Sequence, residues 1–199
     1  MKEKNKKSSV FDLIAPVYGL FYNIQRKNFN NVLNKAESTL KLSEYKNIID
    51  IGCGTGAFCS VLHERGLQVT GIDPSQEMLD VAIKKTENKS INFIKANVIE
   101  GLPFENKSFD VSIASFVAHG LNQSERKIMY SEMSRITSSL VIIDDYNKNR
   151  DTFTNIIERL EGGDYFNFIK IAETEMKLNF KNVQIINVTK RAALYICEP

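Results

Sequence analysis

The sequence predicts an α/β protein built on a seven-stranded, mostly parallel sheet, with helices on both faces and an antiparallel C-terminal hairpin. Three observations carry this. Short β-branched runs alternate with helix-length amphipathic segments from Ile48 to Asp144, the rhythm of parallel βαβ units whose right-handed crossovers place helices on both sides of a sheet. The run Ile48-Ile49-Asp50-Ile51 ends abruptly in glycines, as a strand buried on both faces does at its carboxyl end. The last two runs, Val183 to Val188 and Ala192 to Cys197, are separated by Thr189-Lys190-Arg191. A parallel crossover needs a dozen residues or more, so these two form a hairpin.

The chain opens on Met1-Lys2-Glu3-Lys4-Asn5-Lys6-Lys7, with no hydrophobic stretch behind it of the kind a secretory signal requires. Residues 1–10 are read as a disordered, basic, solvated tail. Phe11 to Tyr18 is apolar and aromatic with Pro16 inside it, which limits helix there. From Tyr18 to Leu42, Leu20, Phe21, Ile24, Phe29, Val32, Leu33, Ala36 and Leu40 recur at mostly three- and four-residue steps, predicting an amphipathic helix with one break. Helices are then expected over Ala57 to Arg65, stopped by Gly66, over Ser75 to Lys85 with Ser75 as N-cap, and over Gln123 to Ile136. Strands are expected over Leu67 to Ile72, Ile91 to Lys95, Phe109 to Ser115 and Leu140 to Asp144. Asp151 to Leu160 and Phe166 to Leu178 read as helices separated by Gly162-Gly163. No repeat or interdomain linker interrupts residues 11–199, which are read as a single domain.

Composition narrows the function classes. With 199 residues, 43% of them hydrophobic, the chain suits one folded domain. Lys and Arg number 26 against 24 Asp and Glu, a net charge of +2, without the basic excess of a nucleic-acid binder. The longest apolar runs, such as Val141-Ile142-Ile143, are too short to span a bilayer. Three cysteines with no CxxC pair, and two histidines, argue against a disulfide framework and a His-rich metal site. An odd cysteine count without an export signal fits a reducing cytoplasm.

The chemistry lies in local motifs. In Asp50-Ile51-Gly52-Cys53-Gly54-Thr55-Gly56-Ala57 a strand runs into alternating glycines and a helix follows. Glycine lets a ligand approach backbone where a β-carbon would clash, and the first strand–helix turn of an open α/β sheet borders the ligand crevice. A purely structural turn is the plain alternative. The pattern is G-x-G-x-G rather than G-x-G-x-x-G, which weakens a dinucleotide reading, and no Walker A loop occurs. Asp73 stands at the end of the second strand, 21 positions after Gly52, where an acidic side chain accepts from the two hydroxyls of an adenosine ribose and repels a 2′-phosphate. A helix-capping or turn role is the alternative for Asp73 taken alone.

These segments resemble the class I S-adenosylmethionine-dependent methyltransferases, close to the small-molecule group that includes the quinone-biosynthesis enzymes. The resemblance rests on Asp50 to Gly56, on Gly71-Ile72-Asp73-Pro74-Ser75 with Met78-Leu79, on Ala96-Asn97, on Leu102-Pro103-Phe104 and on Ser108-Phe109-Asp110-Val111. It implies a Rossmann-like sheet and S-adenosyl-L-methionine as cofactor. The Gly52, Cys53, Gly54 and Gly56 backbone would pass under the methionine part, with Asp50 behind it. Asp73 with Pro74 would hold the ribose, Met78 would lie on the adenine, and Asn97 and Val98 would flank the adenine edge. Tyr18 and Ser115 complete the implied contacts. Asn97 stands where the family usually has Asp, and accepts through an uncharged amide oxygen, so weaker adenine anchoring is expected. Phe11-Asp12-x-x-Ala15-x-x-Tyr18 resembles the family's lid, an N-terminal helical segment spanning residues 11–45 here, although Gly19 replaces its usual acidic neighbour. An aromatic helix packed on the sheet is the alternative.

The fourth strand ends at Ala114-Ser115-Phe116-Val117-Ala118-His119. Ligands gather outside the carboxyl ends of parallel strands, so His119 is the candidate base, with a structural loop histidine as the alternative. His63 is expected at the surface. Asp144 and Asp145 alternate faces at the end of the fifth strand. Shaping the acceptor pocket and helping to bind Mg²⁺ are the two readings for one of them; no supporting Asp/Asn constellation occurs in the sequence, so no metal is predicted. The expected function is methyl transfer to a small-molecule acceptor, without nucleic acid or a membrane span, and a homodimer is compatible with the chain. A catalytically silent S-adenosylmethionine-binding partner or sensor and an NAD-linked oxidoreductase are the competing readings.

Overall fold

The computed structural model describes residues 19–149 and 164–199. The expected tail, the Phe11 to Tyr18 segment and the helix over Asp151 to Leu160 lie outside the described residues. The sheet has seven strands in the order β3-β2-β1-β4-β5-β7-β6, and helices flank both of its faces. The chain divides into two compact units, Met1–Asn97 and Val98–Pro199.

The first unit holds α1 (Tyr22–Leu40), β1 (Asn47–Ile51), α2 (Ala57–Glu64), β2 (Gln68–Asp73), α3 (Gln76–Lys85) and β3 (Ile91–Lys95). The break expected in the first helix falls at Phe21, a turn residue that precedes α1. Val32, Leu33, Ala36 and Leu40 bury one stripe of α1, and Phe29 stacks on Phe58 of α2 with ring centroids 4.3 Å apart. Lys41, in the left-handed region, ends the helix. Leu20, Phe21 and Ile24 share the apolar spacing but are exposed. β1 is buried along Ile48 to Ile51 and pairs in parallel with β2, which pairs in parallel with β3. Ser75 caps α3, its hydroxyl accepting from the Met78 amide at 3.2 Å.

The second unit holds β4 (Phe109–Ser115), α4 (Gln123–Ile136), β5 (Thr137–Tyr146), α5 (Tyr165–Asn179), β6 (Val183–Asn187) and β7 (Ala192–Cys197). β4 and β5 are parallel, whereas β7 is antiparallel to both β5 and β6. β5 begins three residues before the predicted Leu140. Its first residues are hydroxylic, and they pair with β4 through side chains: Thr137 Oγ1 donates to Ser112 Oγ at 2.8 Å and Ser138 Oγ donates to the Phe109 carbonyl at 3.1 Å. A hydropathy pattern does not register that form of strand pairing. α4 opens on a reciprocal cap, in which the Asn122 side chain accepts from the Glu125 amide and Glu125 accepts from the Asn122 amide. Among the described residues no helix is long and apolar enough to cross a membrane.

Candidate functional site

In the first unit, the turn after β1 is held from below. The Gly52 and Cys53 amides both donate to the Ile72 carbonyl, at 2.8 and 2.9 Å, and the Gly56 amide donates to the Cys53 carbonyl at 2.9 Å. The turn bends through positive φ at Gly52, Gly54 and Gly56. At Gly54, where φ is +50°, nothing lies within 4 Å of the place a β-carbon would occupy. The Gly54 amide donates to Asp73 Oδ2 at 2.9 Å, and the Ser75 amide donates to Asp73 Oδ1 at 2.9 Å. Asp73 therefore ties the turn to the start of α3, and its carboxylate sits beside the open position over Gly54. Each carboxylate oxygen accepts more than one hydrogen bond, so this geometry serves both readings of Asp73, as a turn anchor and as a ribose acceptor. From α1, Gln25 accepts from the Thr55 hydroxyl at 3.0 Å.

Beneath the turn lies a cluster that sequence reasoning did not join together. The Cys59 thiol donates to Asp50 Oδ2 at 3.2 Å. Burial pushes the Asp50 carboxyl up to about 7, the Cys59 hydrogen bond opposes that rise and the charge of Asp73 adds to it. Burial also pushes the Cys59 thiol well above its ordinary value, with Cys53 and Asp50 adding to the rise. A β-carbon at Gly71 would come within 2.9 Å of both the Cys53 and Cys59 sulfurs and of Phe93 Cδ1. Cys53 thus turns its side chain into the core and offers the turn only its backbone. Met78 and Val98 are buried, and Asn97 is half-buried just after β3. Tyr18 lies outside the described residues. His63 is half-buried on α2 rather than fully at the surface.

In the second unit, β4 delivers Ser115 and then a short turn, Ala118–Gly120, that carries His119. His119 is only 7% exposed, and its Nδ1 lies 2.8 Å from Oδ1 of the fully buried Asp145. The His119 amide donates to Asp145 Oδ2 at 3.2 Å and the Tyr146 amide donates to Oδ1 at 2.7 Å. Asp144 points elsewhere, accepting from Ser115 Oγ at 3.3 Å. The alternation expected of adjacent strand residues separates the two carboxylates. A pattern of alternation could have named Asp145 as a His119 partner, but only with the position of the Ala118–Gly120 turn known. The His119 ring lies among Tyr146, Phe116 and Tyr165, with centroid distances of 4.8, 6.4 and 6.4 Å. Phe116 has a φ of +54° and is 42% exposed, which no sequence signal announced.

A family model described as a methyltransferase domain matches residues 48–139. A ubiquinone/menaquinone biosynthesis C-methyltransferase of Campylobacter jejuni is 30% identical over 167 residues, covering 77% of this chain and 69% of that enzyme. Among solved structures, a Pyrococcus horikoshii protein superposes with a TM-score of 0.69 at 20% identity, over 87% of this chain and 90% of that one. An Aquifex aeolicus protein described as a SAM-dependent methyltransferase gives 0.64 at 18% identity, over 81% of this chain and 87% of that one. At those identities the structures speak for the fold, and the sequence relationship speaks for the family. The chain belongs to the class I S-adenosylmethionine-dependent methyltransferases, related to the quinone-biosynthesis branch.

Proposed function

We propose that this methyltransferase holds S-adenosyl-L-methionine on the Gly52–Gly56 turn and Asp73 and methylates a small molecule, with His119 as the base for an acceptor that must lose a proton. The observation that carries the cofactor assignment is Gly54, whose positive φ and empty β-carbon position stand beside the Asp73 carboxylate. A backbone without side chains admits a ligand at van der Waals distance, and a neighbouring carboxylate accepts from ribose hydroxyls. Met78, at the start of α3, and Asn97, after β3, are the residues of this unit that we assign to the adenine. When bound, the cofactor supplies a methyl group on a sulfonium, an electrophile whose leaving group is a neutral thioether.

The protein's own part is to orient the acceptor and exclude water, which together supply several powers of ten in rate. His119, fixed by Asp145, receives the acceptor's proton. We place the reaction in the cytoplasm on the support of the three free, buried thiols at Cys53, Cys59 and Cys197.

Calorimetric titration with S-adenosylhomocysteine tests the cofactor assignment. The wild-type protein is expected to bind, and Asp73→Ala to lose about 3 kcal/mol of affinity, because two hydroxyls lose a charged acceptor. Wild-type protein that gives no binding removes the reading, and undiminished affinity in the variant removes Asp73 from it.

A further inference from the structure

We infer that Cys53 and Cys59 form a redox-sensitive pair beneath the glycine turn, which a peroxide converts to a disulfide that loosens the turn's hold on the cofactor. The effect on the cofactor rests on the reading proposed above, whereas the disulfide itself does not.

The two sulfurs meet over Gly71. Each lies 2.9 Å from the point that a β-carbon there would occupy, so they are no farther apart than twice that distance. A glycine in the middle of β2 is what leaves room for both. The Cys59 S–H has two acceptors in reach, Asp50 Oδ2 at 3.2 Å and the Cys53 sulfur. The hydrogen bond from Cys59 lowers the Cys53 thiol, and burial with the charges of Asp50 and Asp73 outweighs it. Burial pushes Cys59 well above its ordinary value. Cys53 is therefore the easier of the two to ionise and, at 7% exposed beside a fully buried Cys59, the nearer to solvent. Burial keeps both thiols mostly protonated, so the pair responds slowly, and to a small oxidant rather than to exchange with a bulky disulfide.

The chemistry balances with hydrogen peroxide. The Cys53 thiolate attacks one peroxide oxygen and the O–O bond breaks. The departing hydroxide takes the proton that Cys53 gave up, leaving water and a sulfenic acid. The Cys59 sulfur then attacks the sulfur of that acid, and the S–O bond breaks. The Cys59 proton passes to Asp50 Oδ2, already its acceptor, and from there to the second hydroxide. Two thiols and one peroxide thus give one disulfide and two waters. Burial, which raises the Asp50 carboxyl to about 7, suits it to take and return a proton near neutral pH.

A disulfide draws two sulfurs to about 2 Å, so one backbone must yield. Cys59 belongs to α2, which is buried from Ala57 to Leu62 and braced by the stack of Phe58 on Phe29. Cys53 belongs to the turn, whose shape depends on its amide donating to the Ile72 carbonyl and its carbonyl accepting from the Gly56 amide. Displacing Cys53 bends the backbone on which Gly54 presents its open position.

The test uses the full chain, with hydrogen peroxide as the oxidant. Both cysteines fall in one tryptic peptide, Asn47–Arg65. After peroxide that peptide should be lighter by two hydrogens and take up no alkylating reagent. The oxidised protein should bind S-adenosylhomocysteine about tenfold more weakly by calorimetry, the worth of one or two backbone hydrogen bonds. Dithiothreitol should reverse both changes. Cys59→Ser keeps a donor for Asp50 and should hold its affinity through the same exposure. A wild-type peptide that still alkylates at both cysteines overturns the pair, whether or not Cys59→Ser folds. Disulfide formation with undiminished affinity, or an equal loss in Cys59→Ser, overturns its control of the turn. Reduced protein that fails to bind S-adenosylhomocysteine strikes the cofactor reading instead, while the peptide mass still decides the disulfide.

Discussion

At the scale of single residues, the two buried aspartates that matter most have opposite circumstances. Asp145 is surrounded by N–H donors, whereas Asp50 has a thiol, a neighbouring carboxylate and apolar walls. Burial, the dominant influence on Asp50, raises its carboxyl to about 7 from an ordinary 3.8. The folded protein therefore keeps a proton that the unfolded chain releases between those two values. Across that window the unfolded state binds fewer protons, so stability falls as pH rises, and the penalty is complete above about 7. A shift of this kind corresponds to a few kcal/mol. Asp50→Asn keeps an acceptor for the Cys59 thiol and removes the charge. Its unfolding free energy, measured by urea titration from pH 4 to pH 8, should gain on wild type as pH increases. Parallel curves for the two proteins would show that Asp50 carries no charge penalty.

At the scale of elements, α4 and α5 are fastened by one guanidinium. Arg126 is fully buried, and its Nε and Nη2 donate to the two oxygens of Glu175 at 2.7 and 2.9 Å. Its Nη1 donates to the Leu121 carbonyl and to Asp164 Oδ2, and the Phe168 ring lies under it at 5.4 Å. Removing one member of a buried pair leaves the other desolvated and costs about 3–5 kcal/mol. Glu175→Ala should therefore melt roughly 10 °C lower in a calorimetric scan, and Arg126→Met combined with Glu175→Leu should recover much of the loss. A melting point within two degrees or so of wild type for Glu175→Ala would assign the pair no structural weight. Most elements were legible in the sequence because burial and period agree in them: α4 and β7 match their expected bounds, and β1 is buried along Ile48 to Ile51, Asp50 included, as expected of a strand covered on both faces. Where they disagree, legibility fails. Leu20, Phe21 and Ile24 keep the helical period yet are exposed, since a period defines a face without saying what covers it. The start of β5 gives no apolar signal, because Thr137 and Ser138 bond to β4 through their hydroxyls. The glycine turn and Asp73 could be read from spacing, whereas the His119–Asp145 contact joins residues 26 apart and Phe116 is set by a backbone angle.

At the scale of the whole molecule, folding and ligand binding place opposite demands on the same residue type, and two glycines separate them. Gly54 has open space above it, so a larger side chain there meets none of the protein's own atoms and, on the proposed cofactor reading, takes the ligand's place. Its positive φ makes a β-branched replacement strained, at about 1–2 kcal/mol, a loss that a folded chain of this size usually survives. Gly71 is the reverse. A methyl group there meets the Cys53 and Cys59 sulfurs and the Phe93 ring at 2.9 Å, inside a strand paired on both sides. Overpacking of that kind costs about 1–3 kcal/mol and displaces the cysteines that underlie the turn. Gly54→Val should therefore keep a cooperative unfolding transition within a few degrees of wild type and show no calorimetric binding of S-adenosylhomocysteine. Gly71→Ala should lose more stability than its single methyl group suggests, while any protein that remains folded still binds, weakened by the shifted turn. Binding retained in Gly54→Val would mean that the ligand does not lie over the glycine turn, and the cofactor assignment would have to move with it.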